Sequence, residues 1–111
     1  MILKTIIIEN TWLSGMEHGW GNGYVLLPKN HKYHGVHYDE IEVNVHGGLT
    51  YAVKVTEELL NNKKYPLSKV LNKKDIDKWI IGFDTCHGED NQSNWSKEAV
   101  EQETENLKNQ L

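Results

Sequence analysis

Residues 79–84 read Trp79-Ile80-Ile81-Gly82-Phe83-Asp84, an apolar run that ends at an acid. A short run of this composition, with the polar residues 85–94 after it, predicts a buried β-strand. A buried strand needs neighbouring strands at its edges and a second layer over its face. We therefore interpret the segments on either side of this run as candidates for those two roles.

Four further segments predict strands that could pair with it or with one another. Leu3 to Ile8 is rich in β-branched residues, and Tyr24 to Leu27 is a short apolar run. Residues 41–46 and 49–55 alternate apolar and polar residues on the two sides of Gly47-Gly48, which is a tight-turn signal. These two alternating segments predict a β-hairpin.

Two segments predict helices. Thr56 to Asn62 has the composition of a short helix that Thr56 caps. Ser96 can cap a longer C-terminal helix, whose apolar residues recur at helical spacing in one narrow stripe: Val100, Leu107 and Leu111. The six lysines of residues 63–78 are expected to form a solvated surface, with a helical turn around Asp75. The sequence thus predicts a single α+β domain over 1–111, with an antiparallel sheet of four to five strands covered by the C-terminal helix.

The composition argues against several classes of protein. A single cysteine, Cys86, excludes an internal disulfide. No apolar run approaches the roughly 20 residues of a membrane span, and the start of the sequence lacks a signal-peptide pattern, so we expect no membrane association and a cytoplasmic location. The formal net charge of −4 disfavours nucleic-acid binding. Because the chain has no arginine, a bound anion would need lysine, histidine, backbone N–H groups or a metal.

The first candidate site is the segment His46-Gly47-Gly48-Leu49-Thr50. His46 ends a predicted strand directly before two glycines, and glycines let a ligand approach the backbone because no Cβ blocks it. A plain hairpin turn beside a polar histidine would have the same sequence.

The second candidate site follows the buried strand, in Asp84-Thr85-Cys86-His87-Gly88-Glu89-Asp90. Loops held at strand ends often carry binding and catalytic groups. Asp84, His87 and Asp90 could ligate a divalent metal such as zinc, manganese or iron, and His46 could complete the set. The spacing matches no established metal signature. In the alternative, Asp84 caps the loop while His87 and Asp90 form a structural pair. We expect Cys86 to be a small buried residue and not a nucleophile.

These motifs occur together in a known family. The matching segments are Gly23-Tyr24-Val25-Leu26-Leu27-Pro28, His46-Gly47-Gly48-Leu49-Thr50-Tyr51 and Trp79-Ile80-Ile81-Gly82-Phe83-Asp84, followed by Cys86-His87, Asp90 and Glu103. On these residues the chain resembles a family of small proteins, uncharacterised in function, that is common in phages and other mobile elements. The family often has alanine where this chain has Gly88. The resemblance implies a mobile-element setting, in which small proteins often counter host immunity, and it implies no particular reaction.

Our preferred hypothesis is an anti-defence protein that binds and sequesters a small nucleotide-type ligand. The pocket would combine both candidate motifs with aromatic residues that could stack on a base: His46, Gly47, Gly48, Thr50, Asp84, His87, Asp90, Trp20 and Tyr24. Because Asp84 and Asp90 would repel a polyanion, we expect lysines of a second chain to complete the pocket in a homodimer.

Two other functions fit the same observations. A metal-dependent hydrolase, such as a phosphodiesterase, would use His46, Asp84, His87 and Asp90 to hold a metal that lowers the pKa of its bound water. A protein-level inhibitor would instead block a host defence protein through the acidic C-terminal helix, which carries Glu98, Glu101 and Glu105. Each would act in the cytoplasm of the host cell if the gene is carried by a phage.

Overall fold

The computed structural model describes residues 3–11 and 17–111, and the elements it gives there confirm the α+β class. Its antiparallel sheet consists of β1 (Thr5–Glu9), β2 (Gly21–Leu27), β3 (Tyr51–Lys54) and β4 (Trp79–Phe83), in the spatial order β1-β2-β4-β3. The helices are α1 (Glu57–Asn61) and α2 (Lys97–Asn109), with shorter 3-10 turns at Tyr38–Glu40, Pro66–Lys69 and Lys73–Asp75. None of the helices within these ranges has the length and apolar character that crossing a bilayer requires.

Strand β4 lies between β2 and β3, so it is bonded along both edges. Ile81 opposes Val25 of β2 on one side and Ala52 of β3 on the other. Ile80 and Ile81 are both fully buried, one on each face of the sheet. The apolar run that predicted a buried strand is therefore the central strand, and its predicted bounds are confirmed.

Helix α2 covers one face of the sheet, as predicted. The Ser96 hydroxyl accepts a hydrogen bond from the Ala99 N–H at 3.3 Å, which caps the first turn. The buried stripe of the helix packs on the odd-numbered residues of β2 and β4, and it consists of Val100, Thr104 and Leu107. Gly23 permits this close approach, because a Cβ there would overlap the Thr104 hydroxyl and the Phe83 ring.

The opposite face is covered as well, which the sequence did not indicate. Helix α1 begins after Thr56, whose hydroxyl accepts from the Leu59 N–H at 3.1 Å, so this predicted cap is confirmed. The chain after it returns across the sheet, and its apolar side chains complete a second core: Val55, Leu60, Leu67 and Leu71 against Ile6, Leu26 and Ile80. Five of the six lysines of 63–78 are exposed and Lys78 is half-buried, as expected of a solvated surface. The buried residues between them lie on or beside short turns, which give no helical or strand periodicity.

One acid in this second layer is almost fully buried. Asp75 is 3% exposed and receives the Lys78 ammonium at 3.1 Å and the Asn72 N–H at 3.0 Å. The Lys4 ammonium lies 3.6 Å away. Burial by itself raises the pKa of Asp75, but these donors and charges outweigh it and leave the pKa below its ordinary value.

The predicted hairpin is wrong in one of its two strands. Residues 41–46 form no strand, and β3 pairs with β4 instead. The Asn44 N–H donates to Gln110 Oε1 at 2.7 Å, and the Asn44 carbonyl accepts from Gln110 and Asn106, so side chains of α2 satisfy backbone groups that a sheet would otherwise satisfy. The glycine turn is present, since the Gly48 N–H donates to the Val45 carbonyl at 2.8 Å.

Candidate functional site

The two candidate motifs meet at one end of the sheet, where two imidazoles share one carboxylate. His46 Nε2 lies 2.9 Å and 3.0 Å from the two carboxylate oxygens of Asp90. His87 Nδ1 lies 2.8 Å from Asp90 Oδ2. The two rings are perpendicular, with centroids 5.0 Å apart. We call His46, His87 and Asp90 the histidine–aspartate cluster.

Asp90 is the buried centre of this cluster. Its side chain is 4% exposed, and it also accepts the His87 backbone N–H at 2.9 Å. Burial by itself raises the pKa of Asp90, but the hydrogen bonds from His46 and His87 outweigh it and hold the pKa below its ordinary value. An ionised carboxylate only accepts hydrogen bonds, so His46 Nε2 and His87 Nδ1 must both carry a proton here.

The Gly47-Gly48 turn and helix α2 set the position of His46. The His46 backbone N–H donates to Glu103 Oε2 at 2.7 Å, which ties the turn to the helix. Gly47 has a φ of +68°, and a Cβ at this position would overlap the His87 ring. The glycine therefore has a steric role in addition to its left-handed backbone, because it makes room for the second imidazole.

A tryptophan that the sequence analysis did not assign to the site forms its wall. The Trp95 ring lies 4.1 Å from the His46 ring between centroids, tilted by 34°. The Trp95 carbonyl accepts the Trp20 N–H at 2.7 Å, so the predicted ligand residue Trp20 lies beside this wall. No local signal distinguishes Trp95 from a core residue, because its contact with His46 depends on the tertiary fold.

Asp84 lies at the other end of the His87 ring. Its Oδ1 accepts the Cys86 N–H at 3.1 Å, which is the loop cap that the sequence analysis considered as an alternative. The same oxygen is 3.7 Å from His87 Nε2, the nitrogen that does not face Asp90. Among the described residues, the group whose ligand atoms all lie within 4.8 Å of one another contains His46, His87 and Asp90, and Asp84 is outside it.

The other predicted ligand residues are distributed more widely. Gly48 and Thr50 are exposed, and the Thr50 N–H donates to the Gly82 carbonyl at 3.0 Å at the start of β3. Tyr24 packs on the opposite face of the sheet, edge-on to Tyr51 with ring centroids 5.5 Å apart.

Cys86 is exposed, so the expectation of a buried residue is wrong. Its backbone N–H donates to Asp84 Oδ1 in the loop cap. Partial burial, with the nearby carboxylates of Asp84 and Asp90, raises the pKa of the Cys86 thiol. The thiol stays protonated at neutral pH, which argues against a thiolate nucleophile.

The surroundings of the cluster are acidic. Asp84, Asp90 and Glu103 contribute three carboxylates next to two imidazoles. Within 3–11 and 17–111, no lysine forms an ion pair with any of the three: Asp84 and Asp90 face histidine side chains, and Glu103 accepts the His46 backbone N–H. This end of the molecule therefore favours a cation over an anion.

No family model matches the chain, and neither a curated protein nor a solved structure shows detectable similarity to it. The inference of function therefore depends on the geometry of the histidine–aspartate cluster.

Proposed function

We propose that the protein is a metal-dependent phosphodiesterase in which His46, His87 and Asp90 hold a divalent transition metal. The convergence of two imidazole nitrogens and one carboxylate oxygen, all within 4.8 Å of one another, carries this proposal. Two histidines and one carboxylate form the ligand set of many catalytic zinc and non-haem iron sites. In such sites the remaining coordination positions take water or substrate.

The distances among the side-chain atoms of His46, His87 and Asp90 are close to those expected between the ligands of one metal. Around a tetrahedral metal with bonds of about 2.0–2.1 Å, neighbouring ligand atoms are about 3.3 Å apart. His46 Nε2 and His87 Nδ1 are each 2.8–3.0 Å from an oxygen of Asp90, and the three ligand atoms all lie within 4.8 Å of one another. A metal would take the place of the two ring protons that face Asp90, and the three side chains would adjust to its bond lengths.

The position of Asp84 supports the same proposal. A histidine that binds a metal through one ring nitrogen commonly gives its other N–H to a carboxylate, which fixes the ring and increases its basicity. With His87 Nδ1 on the metal, Nε2 faces Asp84 Oδ1 at 3.7 Å. We therefore assign Asp84 as the group that orients a ligand, in place of the ligand role considered from the sequence.

The acidic surroundings determine how a nucleotide could bind. Three carboxylates would repel a bare phosphate, and the chain has no arginine to compensate. A metal would supply the missing positive charge, hold a phosphate oxygen, and lower the pKa of a bound water to about 7. A phosphodiester of a small nucleotide is therefore the substrate class we propose, and lysines from a second chain are not required.

The resemblance to mobile-element proteins is consistent with a role for this activity against host defence. Hydrolysis of a small nucleotide in the host cytoplasm would remove a signal that a defence system depends on. Sequestration without hydrolysis would have the same consequence through the same residues. Inhibition of a defence protein through the acidic face of α2 would need neither the metal nor the histidines.

Metal binding is the first test, and the chain offers closely matched variants. His46→Gln and His87→Asn each keep an N–H donor near the position of the lost ring N–H, so the hydrogen bonds to Asp90 are preserved while the imidazole is lost. We expect one zinc or manganese ion per chain in the wild type by elemental analysis and calorimetric titration. Each variant should lose affinity by about 100-fold with little change in its urea midpoint.

His34→Gln is the matched control. His34 Nε2 contacts the Asp77 carbonyl at 2.6 Å, outside the histidine–aspartate cluster, so this variant should keep the metal affinity of the wild type. Hydrolysis is then measured with bis(p-nitrophenyl) phosphate and with linear and cyclic dinucleotides, with and without chelator. A wild type that binds neither zinc nor manganese would refute the metal centre. Metal binding without turnover of any of these probes would favour sequestration.

A further inference from the structure

The two edges of the sheet differ in length and in apolar character. Among the described strands, β1 and β3 each pair on one side only. Strand β3 has four residues and ends at the exposed Lys54, and a charged residue on an edge strand discourages pairing with another chain. Strand β1 has five residues with three consecutive isoleucines, of which Ile7 and Ile8 are only half-buried. The β1 edge is therefore the better template for a further strand.

Alternate residues of β1 direct their backbone hydrogen-bonding groups away from β2. The Lys4 carbonyl accepts the Leu26 N–H at 2.9 Å, and the Asn10 N–H donates to the Trp20 carbonyl at 2.8 Å. In this antiparallel register the even-numbered residues bond to β2, and the odd-numbered residues face the open edge. The residues that direct an N–H and a C=O outward are Thr5, Ile7 and Glu9. None of these outward groups has a hydrogen bond to residues 3–11 or 17–111.

An apolar cavity lies beside the same edge. It has a volume of about 200 Å³ and is lined by Ile8 and Tyr24 on the sheet and by the turn residues Tyr65, Pro66 and Leu67. Because Ile8 belongs to the edge strand, the cavity lies where the second layer meets that edge. Directly opposite residues of an antiparallel pair point to the same face. A strand added to β1 would therefore place one side chain next to Ile8, on the side of the cavity.

We propose that a second copy of this chain adds that strand, with the two β1 strands antiparallel about a two-fold axis. A strand that pairs with its own copy in this way forms a closed, symmetric dimer. When the copies align about Ile7, Ile6 of the second copy lies opposite Ile8 of the first. When they align about Ile8, the two Ile8 side chains lie opposite each other. Either alignment brings an isoleucine to the cavity and matches outward donors with outward acceptors.

The charges at the ends of β1 favour the antiparallel arrangement. Lys4 precedes the strand, Glu9 ends it, and both side chains are exposed. Antiparallel pairing brings the lysine end of each copy towards the glutamate end of the other, whereas parallel pairing would place like charges side by side. The strand is therefore complementary to itself in backbone groups, in apolar side chains and in charge.

This dimer does not depend on the proposed hydrolysis, because none of His46, His87 and Asp90 lies on β1. It also gives the homodimer expected from the sequence a different basis. Its contacts are backbone groups and isoleucines of the sheet edge, and not lysines that complete a pocket.

Hydrogen exchange of the wild type tests which residues form the interface. The amides of Thr5, Ile7 and Glu9 should exchange about 10-fold more slowly as the protein concentration rises from micromolar to near-millimolar, while sedimentation equilibrium shows the mass rising to that of two chains. The outward amides of β3 are the internal control. The Val55 N–H donates to the Lys78 carbonyl at 2.9 Å, so Lys54 directs its N–H to the opposite edge and should show no such slowing.

Three results of these measurements would overturn the proposal. The first is the mass of a single chain at every concentration. The second is a dimer in which the β1 amides exchange as fast as that of Lys54, because the copies would then meet through another surface. The third is protection of the β1 amides in the monomer, because residues of the same chain would then cover the edge.

A matched pair of proline variants tests the edge directly. Proline removes an N–H, and at Thr5 and Lys54 that N–H faces an open edge, so neither variant loses a bond within the sheet. Thr5→Pro should weaken dimerisation by about 10-fold or more, and Lys54→Pro should leave it unchanged. Unchanged dimerisation in Thr5→Pro, or an equal loss in Lys54→Pro, would contradict the assignment of the interface to β1.

Discussion

Asp75 and Asp90 are almost equally buried, but Asp75 is paired with lysines and Asp90 with histidines. Asp75 is 3% exposed and Asp90 is 4% exposed, and the pKa of each is below its ordinary value. Two lysines pair with Asp75, and an ammonium group has no lone pair with which to bind a metal. Asp90 lies within hydrogen-bond distance of two imidazoles, and an imidazole nitrogen can bind a metal in place of a proton. The comparison therefore singles out Asp90, because its partners could join it in binding a metal.

The largest expected effects on stability and metal binding come from replacing each of these two acids with asparagine. Asp90→Asn should abolish metal binding and lower the free energy of unfolding by about 3 kcal/mol, because the amide nitrogen would face N–H donors. Asp75→Asn should lower the unfolding free energy by about 2 kcal/mol, since its lysines are partly exposed, and should leave metal affinity unchanged. Urea denaturation and metal titration of both variants measure the contrast. Equal metal affinities in the two variants would show that Asp90 has no more to do with metal binding than Asp75.

Alanine variants of Gly47 and Gly48 test two possible reasons for a glycine in this turn. One is the space that the His87 ring occupies, and the other is the positive φ of the backbone. Gly47 and Gly48 both have positive φ, but a Cβ at Gly48 would meet no atom within 4 Å. Gly48→Ala should therefore cost about 1 kcal/mol of stability through backbone strain alone. Gly47→Ala should cost about 2–3 kcal/mol and weaken metal binding more than 10-fold, because it displaces His87. Similar metal affinities for the two alanine variants would contradict the steric role.

Acid should affect both carboxylates with the same sign. The folded-state pKa of Asp75 and that of Asp90 lie below the ordinary value of 3.8. Each ionised group therefore contributes stability that is complete above about pH 4 and is lost as the pH falls through its folded pKa. Urea midpoints measured at decreasing pH should fall over this range. The fall should be shallower in Asp90→Asn and in Asp75→Asn, and a slope equal to that of the wild type in both would show that other groups govern acid unfolding.

The smallest expected effect concerns the contact that ties His46 to α2. Glu103→Leu removes the acceptor of the His46 N–H and should reduce stability by about 1 kcal/mol and metal affinity about 3-fold. Glu103→Gln keeps an acceptor oxygen and should restore most of both. Glu101→Leu, at an exposed position of the same helix, is the control. If Glu101→Leu has the same effect on metal binding, the helix acts through its overall charge and not through this hydrogen bond.

Local signals predicted the parts of the fold that depend on neighbours in the sequence. The bounds of β4 and the caps at Thr56 and Ser96 are of this kind, because a cap bonds to residues only three positions away. The segment 41–46 has the alternation of a strand, but its backbone is satisfied by side chains of α2. Alternation shows which residues face the core, and it does not show which element supplies the hydrogen bonds.

The sequence predicts which residues form the candidate site better than it predicts how they are arranged. His46, His87 and Asp90 were recognised as polar residues at turns and strand ends, and the structure brings them together. Asp84 faces His87 Nε2, the nitrogen that does not face Asp90, because it caps the loop between them. The spacing of these residues in the sequence does not by itself determine this position. The contact of Trp95 with His46 joins a helix start to a distant turn, and no local pattern encodes it.

The central place of β4 also determines when the fold can form. Of the described strands, β4 comes last in the sequence, yet it bonds to both β2 and β3 and joins the two halves of the sheet. During synthesis, β1 and β2 can pair as they emerge, but β3 has no neighbour until residues 79–83 leave the ribosome. Such long-range pairing slows folding and leaves apolar strand edges exposed in the meantime. A nascent chain that stalls before Trp79 would therefore be a target for chaperones and proteases.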